Sequence, residues 1–324
     1  MVSSDEANDR ERAEPPCMPM NEAFLFPGQG AQFAGMGRDW CAAFPVARET
    51  FDEADRALGF ALSDACWSRG DEVNRTDVAQ PGIFATGVAI VRVLESRGLD
   101  RTRIPLTAGL SLGEYTALWC AGSIGFVDGL HLVRLRGEAM QAASDAIPSS
   151  MVSLVGATED QARALAAIGA QHGICSVANL NAPGQIIVSG ELRALDALEA
   201  AAKNHGVRRT RRLVVAGGFH SECMRPAAER LAAALREVEI RAPRIAFVSN
   251  VTGAPTSDPE RIRKQLADQV CAPVLWEKSM RHALAQGIKH FLEPGPGEVL
   301  AGILRKIDSE VSVRSVATPA ALET

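Results

Sequence analysis

The segment "AGLSLGEYTAL" holds Ser111 between Gly109 and Gly113, at the end of the apolar run "IPLTAGL" and the start of the helical pattern "LGEYTALWCAG". G-x-S-x-G at a strand-to-helix turn is the pattern of a nucleophile elbow, in which the glycines leave room for a tight backbone and the hydroxyl faces outward over a helix N-terminus. A plain turn with a capping serine is the competing reading. At an elbow, the Leu112 N–H and the positive end of the helix can stabilise an oxyanion developing on an acyl carbonyl. Glu114, just inside the helix, reads as a dipole-favoured helix-start carboxylate rather than a catalytic acid.

A neutral serine needs a base. Of six histidines, His131 reads as mid-helix, His172 and His205 as loop residues, and His282 and His290 as lying on the final helix and its exit. His220, after "LVVAGGF" and before "SECMRPAAERLAAAL", falls at a strand end and a helix mouth, where α/β sheets gather ligands, and is the candidate base. No acid follows Ser111 in the order of an α/β-hydrolase triad, so a backbone carbonyl or an amide side chain would have to orient the imidazole.

In "DGLHLVRLRGEAMQAAS", Arg134 has Glu138 four residues on and can pair on the solvated side. Arg136 is flanked at i−4, i−3, i+3 and i+4 by Leu132, Val133, Ala139 and Met140, which places its guanidinium on the core face. A charge there needs a partner. Either a carboxylate of the protein forms a buried salt bridge with it, or it is a fork for a carboxylate carried by the substrate. The glycine-rich "FLFPGQGAQFAGMG", residues 24–37, matches no nucleotide-binding spacing and lacks a lysine; instead it can turn a second backbone N–H, such as that of Gln29, toward the oxyanion.

These residues need a scaffold. Short apolar runs ("AFLF", "IPLTAGL", "IAFVSN", "HFLEPG") alternate with helical patterns such as 80–97 and 127–143, which indicates an α/β layer on a parallel sheet. The middle segment reads as strand, helix, two strands meeting at "NAPG", helix and strand, the ferredoxin-like βαββαβ order. The expected fold is therefore an α/β-hydrolase-like parallel-sheet body with an inserted ferredoxin-like subdomain. The expected division is a disordered leader over 1–20, a large subdomain from 21–144 and 217–324, and a small one from 145–216.

With 324 residues, 47% of them hydrophobic, the chain can bury one large core and a smaller second one. A net charge of −5 argues against wholesale binding of nucleic acid or anionic membrane, and no stretch reads as long and apolar enough for a membrane span. Seven cysteines without a CxxC pair fit free thiols in a reducing compartment better than disulfides or a metal site. The first twenty residues lack the apolar core of a secretory signal, so a cytoplasmic location is expected.

Together, "FPGQGAQ", "GLSLGEYTAL", "VRLRGEAMQ", "NAPGQIIVSG", "GGFHSECM", "SNVTG", "DQVCAPVLW" and "EPGPGEVLAGI" resemble the malonyl-CoA:acyl carrier protein transacylases of type II fatty acid synthesis, collinearly from about 23 to 307. The resemblance implies that Ser111 takes the malonyl group as an ester with His220 as base, and that Arg136 holds the malonyl carboxylate. It further implies that the backbone amides of Gln29 and Leu112 form the oxyanion hole and that the Gln269 carbonyl orients the histidine. Gln80, Asn179 and Asn181 match polar positions lining the family's cleft. Phe219, before His220, is the bulky type associated with malonyl over branched acyl groups. Leu110 replaces a histidine that many members carry before the serine. Malonyl-CoA and holo acyl carrier protein are the implied partners, with no nucleic acid, membrane, metal or cofactor, and a monomer as the default.

Carrier proteins are acidic, so "RRTRR" (208–212), the densest basic cluster, offers Arg208 and Arg209 as docking candidates; a charged edge strand is the plainer reading. A serine thioesterase or esterase, an acyltransferase for another carboxylated acyl-CoA in polyketide synthesis, and a non-catalytic scaffold subunit are the alternatives.

Overall fold

The computed structural model describes residues 22–68 and 70–323; the expected leader over 1–20 lies outside them. Ten strands occur among the described residues: β1 (Glu22–Phe26), β2 (Leu106–Gly109), β3 (Ser149–Val155), β4 (Cys175–Ala182), β5 (Gln185–Glu191), β6 (Arg209–Arg212), β7 (Ala246–Ser249), β8 (Ala254–Pro255), β9 (His290–Pro294) and β10 (Ser312–Val316). Six form one sheet in the order β10-β9-β1-β2-β7-β8, parallel except for the terminal β7–β8 pair. The other four form an antiparallel sheet in the order β4-β5-β3-β6, the ferredoxin-like arrangement.

The parallel sheet is buried on both faces, as its apolar strands require. Along β1, Phe24 and Phe26 enter one core with the long helices Thr76–Ser96 and Phe126–Ala146. Ala23 and Leu25 enter the opposite one with Trp276, Met280, Leu300 and Leu304. The small sheet packs Val152, Leu154 and Val188 against Leu165 and Leu198 of its two helices, Glu159–Gly169 and Leu192–Ala202.

The structure corrects two sequence expectations. Helix Thr76–Ser96 is long and apolar enough to span a membrane, and 94% of its apolar window is buried inside the protein, so its hydrophobicity serves the core. Pro81 within it has no N–H for the Asp77 carbonyl, which accepts instead from Arg134 Nη1 at 2.8 Å. His282 does not lie on the final helix: Trp276–Ala285, which carries it, is followed by Val299–Ile307. The basic cluster forms β6 at the sheet edge, where Arg209–Arg212 pair with β3 and the Leu213 N–H donates to Met151 O (2.9 Å).

The parallel order β1-β2-β7 sets the carboxyl ends of three strands side by side, where open α/β sheets bind their ligands. From these ends emerge the loop of Gly28 and Gln29, the turn of Ser111, and Asn250. The small sheet joins this edge through a seam: Leu180 N–H donates to Val274 O (2.9 Å) and Val274 N–H to Ala178 O (2.8 Å), so the stretch after Gln269 pairs with β4.

Candidate active site

Ser111 has φ 53°, in the left-handed region that L-residues seldom occupy. Such a conformation costs on the order of 1–3 kcal/mol and persists only when its surroundings enforce it. Here they do. Asn250 Oδ1 accepts from the Ser111 N–H (2.7 Å) and Asn250 Nδ2 donates to Gly109 O (2.7 Å), so one amide clamps both sides of the turn. A Cβ on Gly113 would stand 2.1 Å from Phe26 O, and one on Gly109 would stand 1.9 Å from the Gly113 carbonyl carbon. Both glycines are demanded by contact. Gly28 presses against the elbow in the same way: a Cβ there would stand 2.3 Å from Leu110 O. The N–H groups of Gln29 and Leu112 have no protein acceptor among the described residues.

His220 is the second described non-glycine residue at positive φ, 60°. Its turn is held by Ser221 Oγ donating to Gly218 O (2.6 Å) and by the Gly218 N–H donating to Ser149 Oγ (2.9 Å). Nδ1 lies 2.8 Å from Gln269 O, which only accepts, so Nδ1 carries the proton. Nε2 is then a bare acceptor, 2.8 Å from Ser111 Oγ. Burial, and secondly the Arg136 charge, push the imidazole down to about 4, against a rise from the Gln269 carbonyl bond. It therefore stands neutral near pH 7, able to take the serine proton.

Arg136 is 1% exposed, as the face count required. It has no salt bridge to a carboxylate among the described residues. Instead Nη1 donates to Gln80 Oε1 (2.8 Å), and Nη2 donates to Gln269 Oε1 (3.0 Å) and Ser111 Oγ (3.0 Å). Nε is buried without a partner among the described residues. Burial pushes the group below its ordinary value, but an arginine keeps its proton at neutral pH. The guanidinium is held by neutral oxygens and its charge is left uncompensated at contact distance. Arg134 pairs with Glu138 at 2.6 Å.

Ser111, His220, Arg136, Gln80 and Gln269 thus form one hydrogen-bonded cluster, which Gln29 joins through Gln80 Nε2 donating to its Oε1 at 3.4 Å. Asn179 and Asn181, both buried on β4, make no side-chain hydrogen bond to it, and Asn181 Oδ1 has no partner among the described residues. Phe219 is buried beside His220, its carbonyl accepting from Ser189 Oγ at 2.5 Å. Arg208 and Arg209 are exposed and unpaired among the described residues, whereas Arg212 bonds Asp196 and Glu199. A cavity of about 610 Å³ between the hairpin at Pro183–Gly184 and the helix Trp276–Ala285 includes none of the cluster in its lining.

Two members were not foreseen. Asn250 lies in the quoted "SNVTG", yet nothing local marks it as a clamp 139 residues from Ser111. Glu114, read as a dipole-favoured helix start, does lie in the first turn of Gly113–Cys120, but it is 1% exposed and bonded to the Asn250 N–H and the Gln269 amide. The glutamate of "LGEYTAL" falling on the inward face of a wholly buried helix was the available signal.

The sequence profile of the acyl transferase domain matches residues 23–319. The chain belongs to the acyl transferase domain family. This acyltransferase is 36% identical over 303 residues to the malonyl CoA-acyl carrier protein transacylase of Bacillus subtilis (strain 168), covering 93% of this chain and 95% of that protein. It is 37% identical over 302 residues to that of Escherichia coli (strain K12), covering 93% and 97%. Among solved structures, the acyl-carrier-protein-S-malonyltransferase of Bartonella henselae superposes with TM-score 0.90 at 39% identity, covering 93% of this chain and 97% of that one. A type II PKS acyl-carrier protein in complex with its malonyl-transacylase gives TM-score 0.88 at 37% identity over 93% and 97%.

Proposed function

We propose that this acyltransferase moves the malonyl group of malonyl-CoA to the phosphopantetheine thiol of an acyl carrier protein through a Ser111 ester. The observation that carries the reading is the state of Arg136: a buried, charged fork beside a serine–histidine pair, held by two amide oxygens and by no carboxylate among the described residues. A substrate carboxylate supplies the missing partner, bidentately.

In the first half-reaction, His220 Nε2 takes the Ser111 proton as Oγ attacks the thioester carbon. The N–H groups of Gln29 and Leu112 receive the oxyanion, and coenzyme A leaves as its thiol, taking the proton from His220. Gln269 O holds the imidazole in the required tautomer and stands where a triad acid would. The carrier thiol then reverses these steps. Gln80 holds Arg136, Asn179 and Asn181 line the cleft, and Phe219 crowds a 2-methyl branch. Arg208 and Arg209 meet the acidic carrier protein. We further propose that residues 145–216 form the small subdomain, and that the enzyme is a cytoplasmic monomer needing no cofactor or metal. Six free cysteines among the described residues support the reducing compartment.

Intact mass after mixing with malonyl-CoA tests the reading. A malonyl adduct on Ser111 that holo carrier protein discharges is expected; release of free malonate instead would make the protein a thioesterase.

A further inference from the structure

Gln269 is fully buried, and its side-chain amide joins groups of opposite hydrogen-bonding character. Its Nε2 faces two acceptors, Ser111 O at 3.0 Å and a carboxylate oxygen of Glu114. Its Oε1 faces a donor that cannot accept, Arg136 Nη2 at 3.0 Å. Turned over, the amide would set oxygen against two oxygens and NH2 against a guanidinium. The other oxygen of Glu114 accepts from the Asn250 N–H at 2.5 Å, behind the clamp that holds Ser111.

We infer that Glu114 is a positioning residue for the substrate's carboxylate: by fixing the direction of the Gln269 amide, it aims Arg136 without neutralising it. A carboxylate at position 269 would occupy the guanidinium itself. A glutamine at 114 could offer oxygen to Asn250 only by turning its own NH2 toward Gln269 Nε2, and the amide would lose its imposed direction. Burial pushes the Glu114 carboxyl up to about 8, against the smaller pull of its donors and of the Arg136 charge; whatever its proton count, its two oxygens face the Asn250 N–H and the Gln269 NH2 and so impose the direction of the amide. The carboxyl group thus bears on the guanidinium through one intervening amide and leaves the fork open to a bidentate ligand.

The inference rests on the malonyl-transfer reading, which the parent protein's adduct tests separately. Initial rates of self-acylation from malonyl-CoA and from acetyl-CoA, which lacks the distal carboxylate, are to be measured for the parent, Glu114→Gln, Gln269→Ala and the double variant. Gln269→Ala keeps the backbone carbonyl that orients His220. Glu114→Gln is expected to lower kcat/KM for malonyl-CoA about 10–100-fold, chiefly in KM, and that for acetyl-CoA less than about threefold. Gln269→Ala should show the same malonyl-specific loss, and the double variant should fall no more than about twofold below Gln269→Ala. Equal losses for both substrates, or a full Glu114→Gln effect in the Gln269→Ala background, would overturn the inference. If Glu114→Gln is not recovered folded, Gln269→Ala decides: a malonyl-specific loss supports the inference, and an equal loss or none defeats it.

Discussion

Replacing Arg136 with alanine tests whether a buried fork selects the acyl group. Among the described residues the guanidinium is bonded only to Gln80 Oε1, Gln269 Oε1 and Ser111 Oγ, so its charge is available to an incoming anion. Two hydrogen bonds to a carboxylate, each charge-assisted and worth roughly 1.5–3 kcal/mol, amount to about 3–6 kcal/mol. At about 1.4 kcal/mol per decade, Arg136→Ala should lower kcat/KM for malonyl-CoA by roughly 10²–10⁴. Acetyl-CoA uses neither bond and gains from removal of a charge beside its methyl, so the preference between the two should invert. Melting temperature should change little, because the cost of burying the charge disappears together with its bonds. Initial rates of Ser111 acylation, followed by intact mass over a few turnovers' time, give both constants. An Arg136→Ala protein that still prefers malonyl-CoA to acetyl-CoA would refute the reasoning.

Because burial and Arg136 hold His220 down to about 4, kcat/KM should stay level from pH 7 to about 5.5 and fall toward pH 4; a midpoint at 6.5 would refute that environment. The same depression means that the unfolded chain takes up the imidazole proton first. Stability should therefore decline as pH drops from about 6.5 to about 4, by roughly 3 kcal/mol in denaturant titrations. Gly113→Ala places a methyl 2.1 Å from Phe26 O and should cost more than about 3 kcal/mol or prevent folding, read from melting temperature and soluble yield. Arg208→Glu with Arg209→Glu should slow transfer to holo carrier protein about tenfold at low salt, leaving acylation by malonyl-CoA unchanged; the deficit should shrink as salt rises.

Some of the site was legible because it is punctuated locally. Ser111 and His220 stand at element boundaries between glycines and helical patterns, and Arg136 betrays itself by charge on an apolar face. Gln269 was half visible: its carbonyl came from the family resemblance, whereas its side-chain bonds to Arg136, Ser111 and Glu114 depend on a helix end meeting a turn 158 residues earlier. Asn250 and Glu114 were hidden for the same reason, since hydrogen bonds across a parallel sheet leave no periodicity in either partner. The ferredoxin-like unit was readable because it is closed by local hairpins and short crossovers. Strand β10 was not: "SVRSV" has no apolar run and, among the described residues, pairs only with β9 at the sheet edge.

The seam between Val274 and β4 has a mechanical consequence. One end of the short stretch Gln269–Val274 grips the imidazole, and the other is stitched to the smaller sheet. A swing of that sheet must pivot about this stitch or pull on the proton acceptor itself. A wide jaw-like gape would break the seam's two backbone hydrogen bonds or drag the imidazole with it, so the placement of the smaller sheet and that of the base are mechanically linked.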